Sequence, residues 1–328
     1  MGEAFPGGRE LIRLAFLNRE VPLRALEVTL ASLSDSTIRQ YSKPLRDWWF
    51  YCQSVPISPF TPSPAQFLEF LAQELQRANS YSTINTIRSA ISLITHNEIG
   101  NHALVKRFCK GVGVLKPPRP RYDLVWDPAP VLDKLATLFP YDSLSLDTVT
   151  KKLILLLALG TGQRVQTLAS FRLSQIFIGD KLIIKVPGRI KTSAPGRSQP
   201  AFSFSPFEDN ESLCIYKLVK HYLDIIKNLR ASSGDSFFIS LVRPHKAVGQ
   251  QTISRWLRVS LEDCGVRSDL FASHSTRHAS TSRAAQKGIT LDLIKRAAGW
   301  SGSSRIFARF YNRPIINPEE FSNAVLRP

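Results

Sequence analysis

Acidic residues are what this sequence has too few of. Its 328 residues hold 26 Asp and Glu against 43 Lys and Arg, a formal net charge of +17. A globular chain this basic meets a polyanion, with nucleic acid ahead of an anionic membrane. A second absence weighs against the membrane: no apolar run reaches 18 residues, and no signal-peptide pattern opens the chain. The expected compartment is cytosol or nucleus. Cysteine is scarce as well. Cys52, Cys109, Cys214 and Cys264 lie far apart and form no CxxC pair, which argues against a zinc site and against a disulfide scaffold. They read as buried thiols, and no metal is expected. Internal repeats and low-complexity tracts are also missing, so a repeat architecture is excluded. What remains is a chain with 43% hydrophobic residues, long enough for two domains that each bury a core.

The order of patterns predicts a mainly α protein with a small antiparallel β element, in two domains. Residues 1–31 read as a helical lead-in with apolar stretches LIRLAFL and ALEVTLASL. From Ser34 or Asp35, either of which can cap, apolar residues at Ile38, Tyr41, Leu45, Trp48, Trp49 and Cys52 keep close to a 3.6 period. Ser63-Pro64 starts the next helix, with proline in the tolerated first turn and a stripe of Phe67, Leu68, Leu71 and Leu75. A third carries Ile84, Ile87, Ile91 and Ile94, and the basic segment HALVKRFCKGV closes a helical domain over 32–115. Between the apolar positions lie Lys43, Arg46, Arg77, Ser82, Thr83 and Arg88. Such groups usually form a solvated face; the net charge favours some of them as phosphate contacts. The stretch KPPRPRYD follows, a stiff basic linker over 116–127. Its Lys116, Arg119 and Arg121 are further candidates to lie along a DNA backbone.

The second domain is expected over 128–315. PAPVLDKLATLF is helical, and LDTVTKKLILLLALGTGQR is apolar enough to be a buried helix, released into a turn at Gly160 and Gly162. Arg164 comes directly after that turn. Taken alone it is a surface Arg at a helix start. Over 181–205 the period changes: KLIIKV, then the turn-forming PGRIKTSAPGRSQ, then PAFSFS, a β-hairpin whose basic tip carries Arg189, Lys191 and Arg197. Helices resume over 213–229 and 252–264, with a short strand expected at Ser236–Ser240. Residues 316–328 form a tail in which Asn317-Pro318 starts a helix with an apolar stripe of Phe321, Val325 and Leu326.

The stretch from His274 to Pro314 concentrates chemistry. His274 and Arg277 stand three apart, Trp300 follows a glycine, and Tyr311 ends an arginine-rich segment before Asn312-Arg313-Pro314. A tyrosine hydroxyl can attack phosphorus, an arginine fork can hold two phosphate oxygens, and His and Trp N–H groups can bond the rest. His278, beside the motif, reads as structural. In order the set is Arg164, Lys191, His274, Arg277, Trp300 and Tyr311. With GTGQR, GRIKTS, HSTRH, AGW and FYNRP around these residues, the chain resembles the tyrosine recombinase family (phage integrase, Cre-like) over about residues 32–315. The phrases ASLSDSTIRQYSKPLRDWW, HSTRHASTS and AAGWS further resemble recombinases of DIRS-type retrotransposons or Crypton elements.

The resemblance implies a two-domain DNA clamp and a site-specific recombinase or integrase of a mobile element. It implies a 3′-phosphotyrosyl intermediate on Tyr311, no metal or nucleotide cofactor, double-stranded DNA as partner, and self-association to a synaptic tetramer. It implies a nuclear location if the narrower likeness holds, and a cytoplasmic one otherwise. One departure stands out: the family has an acid three residues after the first arginine, where this chain has Thr167, so support for Arg164 must differ. Two alternatives stay open, a DNA-binding protein that no longer cleaves and a type IB topoisomerase-like relaxing enzyme. The tail's apolar face suits docking on a neighbouring catalytic domain or packing in cis.

Overall fold

Four serines start helices here. Ser34, Ser63, Ser80 and Ser145 each accept, through Oγ, the backbone N–H three residues on, at 3.2, 3.2, 3.3 and 3.2 Å, satisfying one of the donors that a helix start leaves open. At Ser63 the bond is reciprocated by Gln66, completing a capping box. The structure, a computed structural model, describes residues 3–96, 98–117, 125–191, 193, 196, 199–230, 234–300 and 326. The chain divides into two units, Met1–Arg119 and Pro120–Pro328.

The first unit holds α1 (Gly8–Asn18), α2 (Leu23–Leu30), α3 (Asp35–Ser54), α4 (Pro64–Arg77), α5 (Tyr81–Ile94) and α6 (Ala103–Leu115). Trp48 of α3 is fully buried and meets Phe67 and Phe70 edge-on at 5.9 and 5.0 Å, while its indole N–H donates to the Pro59 carbonyl at 3.0 Å. That satisfies the one polar atom of a large apolar side chain. Ile84, Ile87, Ile91 and Ile94 face the same core. Residues 1–31, set apart in sequence as a lead-in, are part of it: Leu11, Ile12, Ala15, Phe16, Leu26 and Leu30 are buried there. Two amphipathic helices have no stable place outside a core that covers their apolar faces.

The second unit is organised around α8 (Leu146–Thr161), which follows α7 (Pro128–Ala136). Leu153, Ile154, Leu155 and Leu157 of α8 are fully buried, so it is covered on nearly every side. After α9 (Val165–Ala169) the strands β1 (Ile176–Ile178), β2 (Leu182–Lys185) and β3 (Ala201–Phe204) form an antiparallel sheet in that order, with Ile176 opposite Ile184 and Leu182 opposite Phe204. Leu182 and Ile184 point inward and Ile183 and Lys185 outward, the period-2 pattern of a half-buried strand. Then come α10 (Ile215–Ile226), α11 (Gln250–Asp263), α12 (Ser275–Gln286) and α13 (Leu291–Ala298). Helices α10, α11 and α12 pack against α8.

Two local expectations are corrected. Gly160 lies inside α8, where a Cβ would sit 3.0 Å from Ile215 Cδ1, and only Gly162, at φ +59°, ends the helix. Residues 236–240 form no strand. Phe237, Phe238 and Ile239 are buried in succession, and the segment makes single bridges, Arg172 to Ser236 and Ile239 to Ala247. Isolated bridges do not extend into a ladder, so this buried segment crosses the core without forming a strand.

Lys152 of α8 is an unusual core residue. Only 1% exposed, it donates to the Leu138 carbonyl at 2.6 Å and lies 4.9 Å from the Tyr141 ring centroid, and burial pulls its pKa down to about 8. Cys52, Cys109 and Cys214 are buried and Cys264 half-buried, and all four are free thiols. Among the described residues no helix is long and apolar enough to cross a membrane.

Candidate active site

The end of α8 and the start of α12 bring the site together. Gly162 turns the chain through its left-handed conformation, and Arg164 follows as the N-cap residue of α9, in extended backbone. A cleft of about 390 Å³ opens there, lined by Arg164, Val165, Gln166, Lys191, Gln250, Ser254, Ser273 and His274. Three residues expected from the sequence, far apart in the chain, therefore share one cleft. Lys191 reaches it from the hairpin tip, where Ile190 is buried and Arg189 and Lys191 on either side are exposed. The Ile190 N–H donates to Ser193 Oγ at 2.9 Å, and Gln199 Nε2 donates to the same oxygen at 2.9 Å. The tip is thus tied to its own returning strand. His274 is the N-cap residue of α12, with its ring 5.9 Å from that of His278.

Arg277 is placed differently. It sits in the first turn of α12, 0% exposed, with Nη1 donating to the Gly162 carbonyl at 2.7 Å and Cζ 4.1 Å from the Trp300 ring centroid. An arginine packed on an aromatic face and bonded to a turn carbonyl is held in one orientation. That carbonyl belongs to the residue two before Arg164, so the two arginines are linked through a single turn. Trp300 is 8% exposed and packs with Ile294 and Ala298 of α13 and with Ala284 and Ala285 of α12. Gly299, at φ +69°, ends α13 and delivers the indole. Helix α12 is anchored at both ends: Trp126 Nε1 donates to Ser275 Oγ at its start at 2.9 Å, and Arg283 in its last turn donates to Asp127 Oδ1 at 2.8 Å.

Tyr311 lies outside the described residues, as do Arg119, Arg121 and Arg197. In the first unit, Lys43, Ser82 and Thr83 line a second cleft of about 370 Å³. Lys43 is paired to Asp47 at 2.6 Å, Arg46 lies 3.9 Å from the same carboxylate, and Arg77 pairs with Glu74 at 3.6 Å; the three basic side chains are exposed, whereas Asp47 is half-buried and Glu74 buried. Two other candidates are committed to the fold. Arg88 donates to Asn85 Oδ1 at 3.2 Å and to the Gly100 carbonyl at 2.7 Å, and Lys116 donates to the Leu75 and Ala78 carbonyls at the end of α4. Both side chains are thereby held against backbone carbonyls of their own unit.

Sequence reasoning did not find Gln250, Ser254 and Ser273. Gln250 and Ser254 are spaced i,i+4 at the edge of the apolar stripe of α11, which marks a shared face but not what it faces. Ser254 and Ser273 hydroxyls lie 2.7 Å apart across the cleft wall.

The model of the phage integrase family matches residues 132–314, more than half of the chain. No curated protein matches the chain in sequence. Among solved structures, XerH site-specific recombinase bound to palindromic difH substrate, a post-cleavage complex, is 16% identical with a TM-score of 0.61, covering 93% of this chain and 84% of that one. Tn1549 transposon integrase with transposon right-end DNA is 13% identical at TM-score 0.58, covering 98% and 100%. A lambda integrase dimer on a COC′ core site is 16% identical at TM-score 0.55, covering 90% and 95%. At these identities the likeness is one of fold. The chain belongs to the phage integrase family. It is therefore a tyrosine recombinase, an enzyme that cleaves and rejoins DNA strands by transesterification.

Proposed function

We propose that the protein is a site-specific recombinase or integrase of a mobile element, acting on double-stranded DNA through Tyr311 as nucleophile. The observation that carries this reading is the single cleft shared by Arg164, Lys191 and His274, with Arg277 and Trp300 joined to it through the Gly162 turn.

The chemistry follows from the groups. A tyrosine titrates near pH 10, so forming its phenolate at pH 7 costs about 4 kcal/mol. His274 at the cleft takes the phenolic proton as Tyr311 attacks phosphorus. The oxygen–phosphorus bond to Tyr311 forms, and the bond to the 5′-oxygen of the next nucleotide breaks. Lys191 gives its proton to that leaving oxygen. Extra negative charge on the pentavalent phosphorus is met by Arg164 and Arg277, and the Trp300 face keeps the Arg277 fork in plane. The 3′-phosphotyrosyl ester conserves the energy of the broken phosphodiester, so the reverse attack by a 5′-hydroxyl rejoins DNA without another energy source.

The phrases that resemble DIRS-type and Crypton recombinases support the mobile-element context and a nuclear location. Self-association on DNA, up to a synaptic tetramer, is part of the same reading. The lambda integrase structure is described as a dimer on its core site. The test is Tyr311→Phe: it retains DNA affinity and forms no covalent adduct. Adduct at the wild-type level in that variant refutes the assignment of the nucleophile.

A further inference from the structure

Helix α13 leaves its last carbonyls without intrahelical partners. The Lys295 carbonyl accepts the Trp300 N–H at 2.8 Å, and the Arg296 carbonyl accepts the Gly299 N–H at 3.0 Å. The Ala297 carbonyl is taken by a distant side chain: Gln163 Nε2 donates to it across 134 positions of sequence. The other end of the same amide, Oε1, accepts Thr167 Oγ1–H at 3.2 Å. Both side chains are buried, each 3% exposed. Gln163 is the residue before Arg164, and Ala297 is three before Trp300. One amide therefore spans from the turn that carries the first arginine to the helix end that presents the indole.

We propose that Gln163 and Thr167 form a neutral positioning relay, which fixes the Arg164 turn against the Trp300 helix end. This rests on the recombinase reading above and adds two residues to its site. The relay has a clear chemical consequence. Among the described residues of the second unit no Asp or Glu is buried, so the site is held by an amide, a hydroxyl and carbonyls. A carboxylate in the same place would offset part of the arginine charge in a poorly screened interior. A neutral relay sets the same geometry and leaves the positive charge for the phosphoryl group. The Thr167 hydroxyl matters because it orients the amide: with Oε1 accepting from Thr167, the NH₂ end must face Ala297.

The test compares Gln163→Leu, Thr167→Val and Thr167→Ser in the full chain, measuring single-turnover DNA cleavage, DNA affinity and thermal unfolding. Gln163→Leu lowers cleavage about tenfold, the effect of one lost buried hydrogen bond expressed at the transition state. Its DNA affinity stays within about twofold of wild type, since the lost bond makes no phosphate contact. Thr167→Val, which keeps the volume, lowers cleavage by a smaller factor, and Thr167→Ser restores it. The double variant is no slower than Gln163→Leu alone, because both act through one amide. Cleavage at the wild-type rate in Gln163→Leu and Thr167→Val overturns the proposal. So do additive losses in the double variant, or slowing that only tracks the unfolded fraction. Wild type forming no adduct, in the same assay, overturns the recombinase reading itself and this inference with it.

Discussion

Replacing Arg277 by leucine separates what the residue does for the fold from what it does for the reaction. In the fold, its guanidinium gains a charge-assisted hydrogen bond to the Gly162 carbonyl at 2.7 Å and a ring contact with Trp300 at 4.1 Å. The first contributes about 2 kcal/mol and the second about 2 when desolvated. Taking a cation out of water costs several kcal/mol, a sum of the same size. Leucine removes all three effects and leaves the Gly162 carbonyl short of a donor, at about 1–3 kcal/mol. Arg277→Leu is therefore expected to lower stability by about 1–3 kcal/mol, or the midpoint of thermal unfolding by roughly 3–10 °C for a unit of this size. Cleavage falls much further, about a hundredfold or more, because a fixed two-pronged donor to the developing charge is gone. Arg277→Lys lies between, since an ammonium reaching for Gly162 has no rigid fork to offer a phosphate. The assay is single-turnover cleavage at a temperature where calorimetry shows the variant folded. Leucine cleaving within about threefold of wild type refutes the role in the reaction, and a variant unfolded at 25 °C makes Arg277 a residue of the fold.

Three further outcomes are expected. Lys152, with its pKa lowered to about 8 by burial, binds its proton more weakly folded than unfolded, so it makes stability rise between about pH 8 and the ordinary lysine range, by at most ~3 kcal/mol; the rise, measured by denaturant melts, disappears in Lys152→Met. Arg46→Ala reduces the slope of log affinity against log salt by about one, whereas Lys116→Ala leaves the slope alone and destabilises the helical unit, as its amine serves the end of α4. Deletion after Pro314 removes multimers on DNA while sparing monomer binding, read by gel shift; multimers unchanged by the deletion refute docking of the tail on a neighbour.

Helices with a long regular period were legible in sequence. The isoleucines of α5 and the leucines of α8 declare a buried face without reference to anything else, and Ser63-Pro64 declares a start. Strand β1 was missed because three residues carry no period of their own, and its place is set by pairing with β2. The first 31 residues were separated from the helical domain because a stripe of apolar residues does not say which core will cover it. At the site, Arg164, Lys191 and His274 were legible because each sits in a local phrase with turn residues beside it. Gln163 and Ala297 were not, since their bond exists only once the turn after α8 meets the end of α13. Arg88 and Lys116 show the converse: charge in a sequence says nothing of the carbonyls that fold back to meet it.

The most direct test of the central claim is to trap the enzyme on a nicked substrate from which the cut fragment diffuses away, then map by mass spectrometry the residue that carries the nucleotide. A 3′-phosphotyrosyl linkage on Tyr311 is predicted, with none in Tyr311→Phe. A nucleotide on any other residue, or cleavage of a verified site with no covalent species at all, contradicts the account.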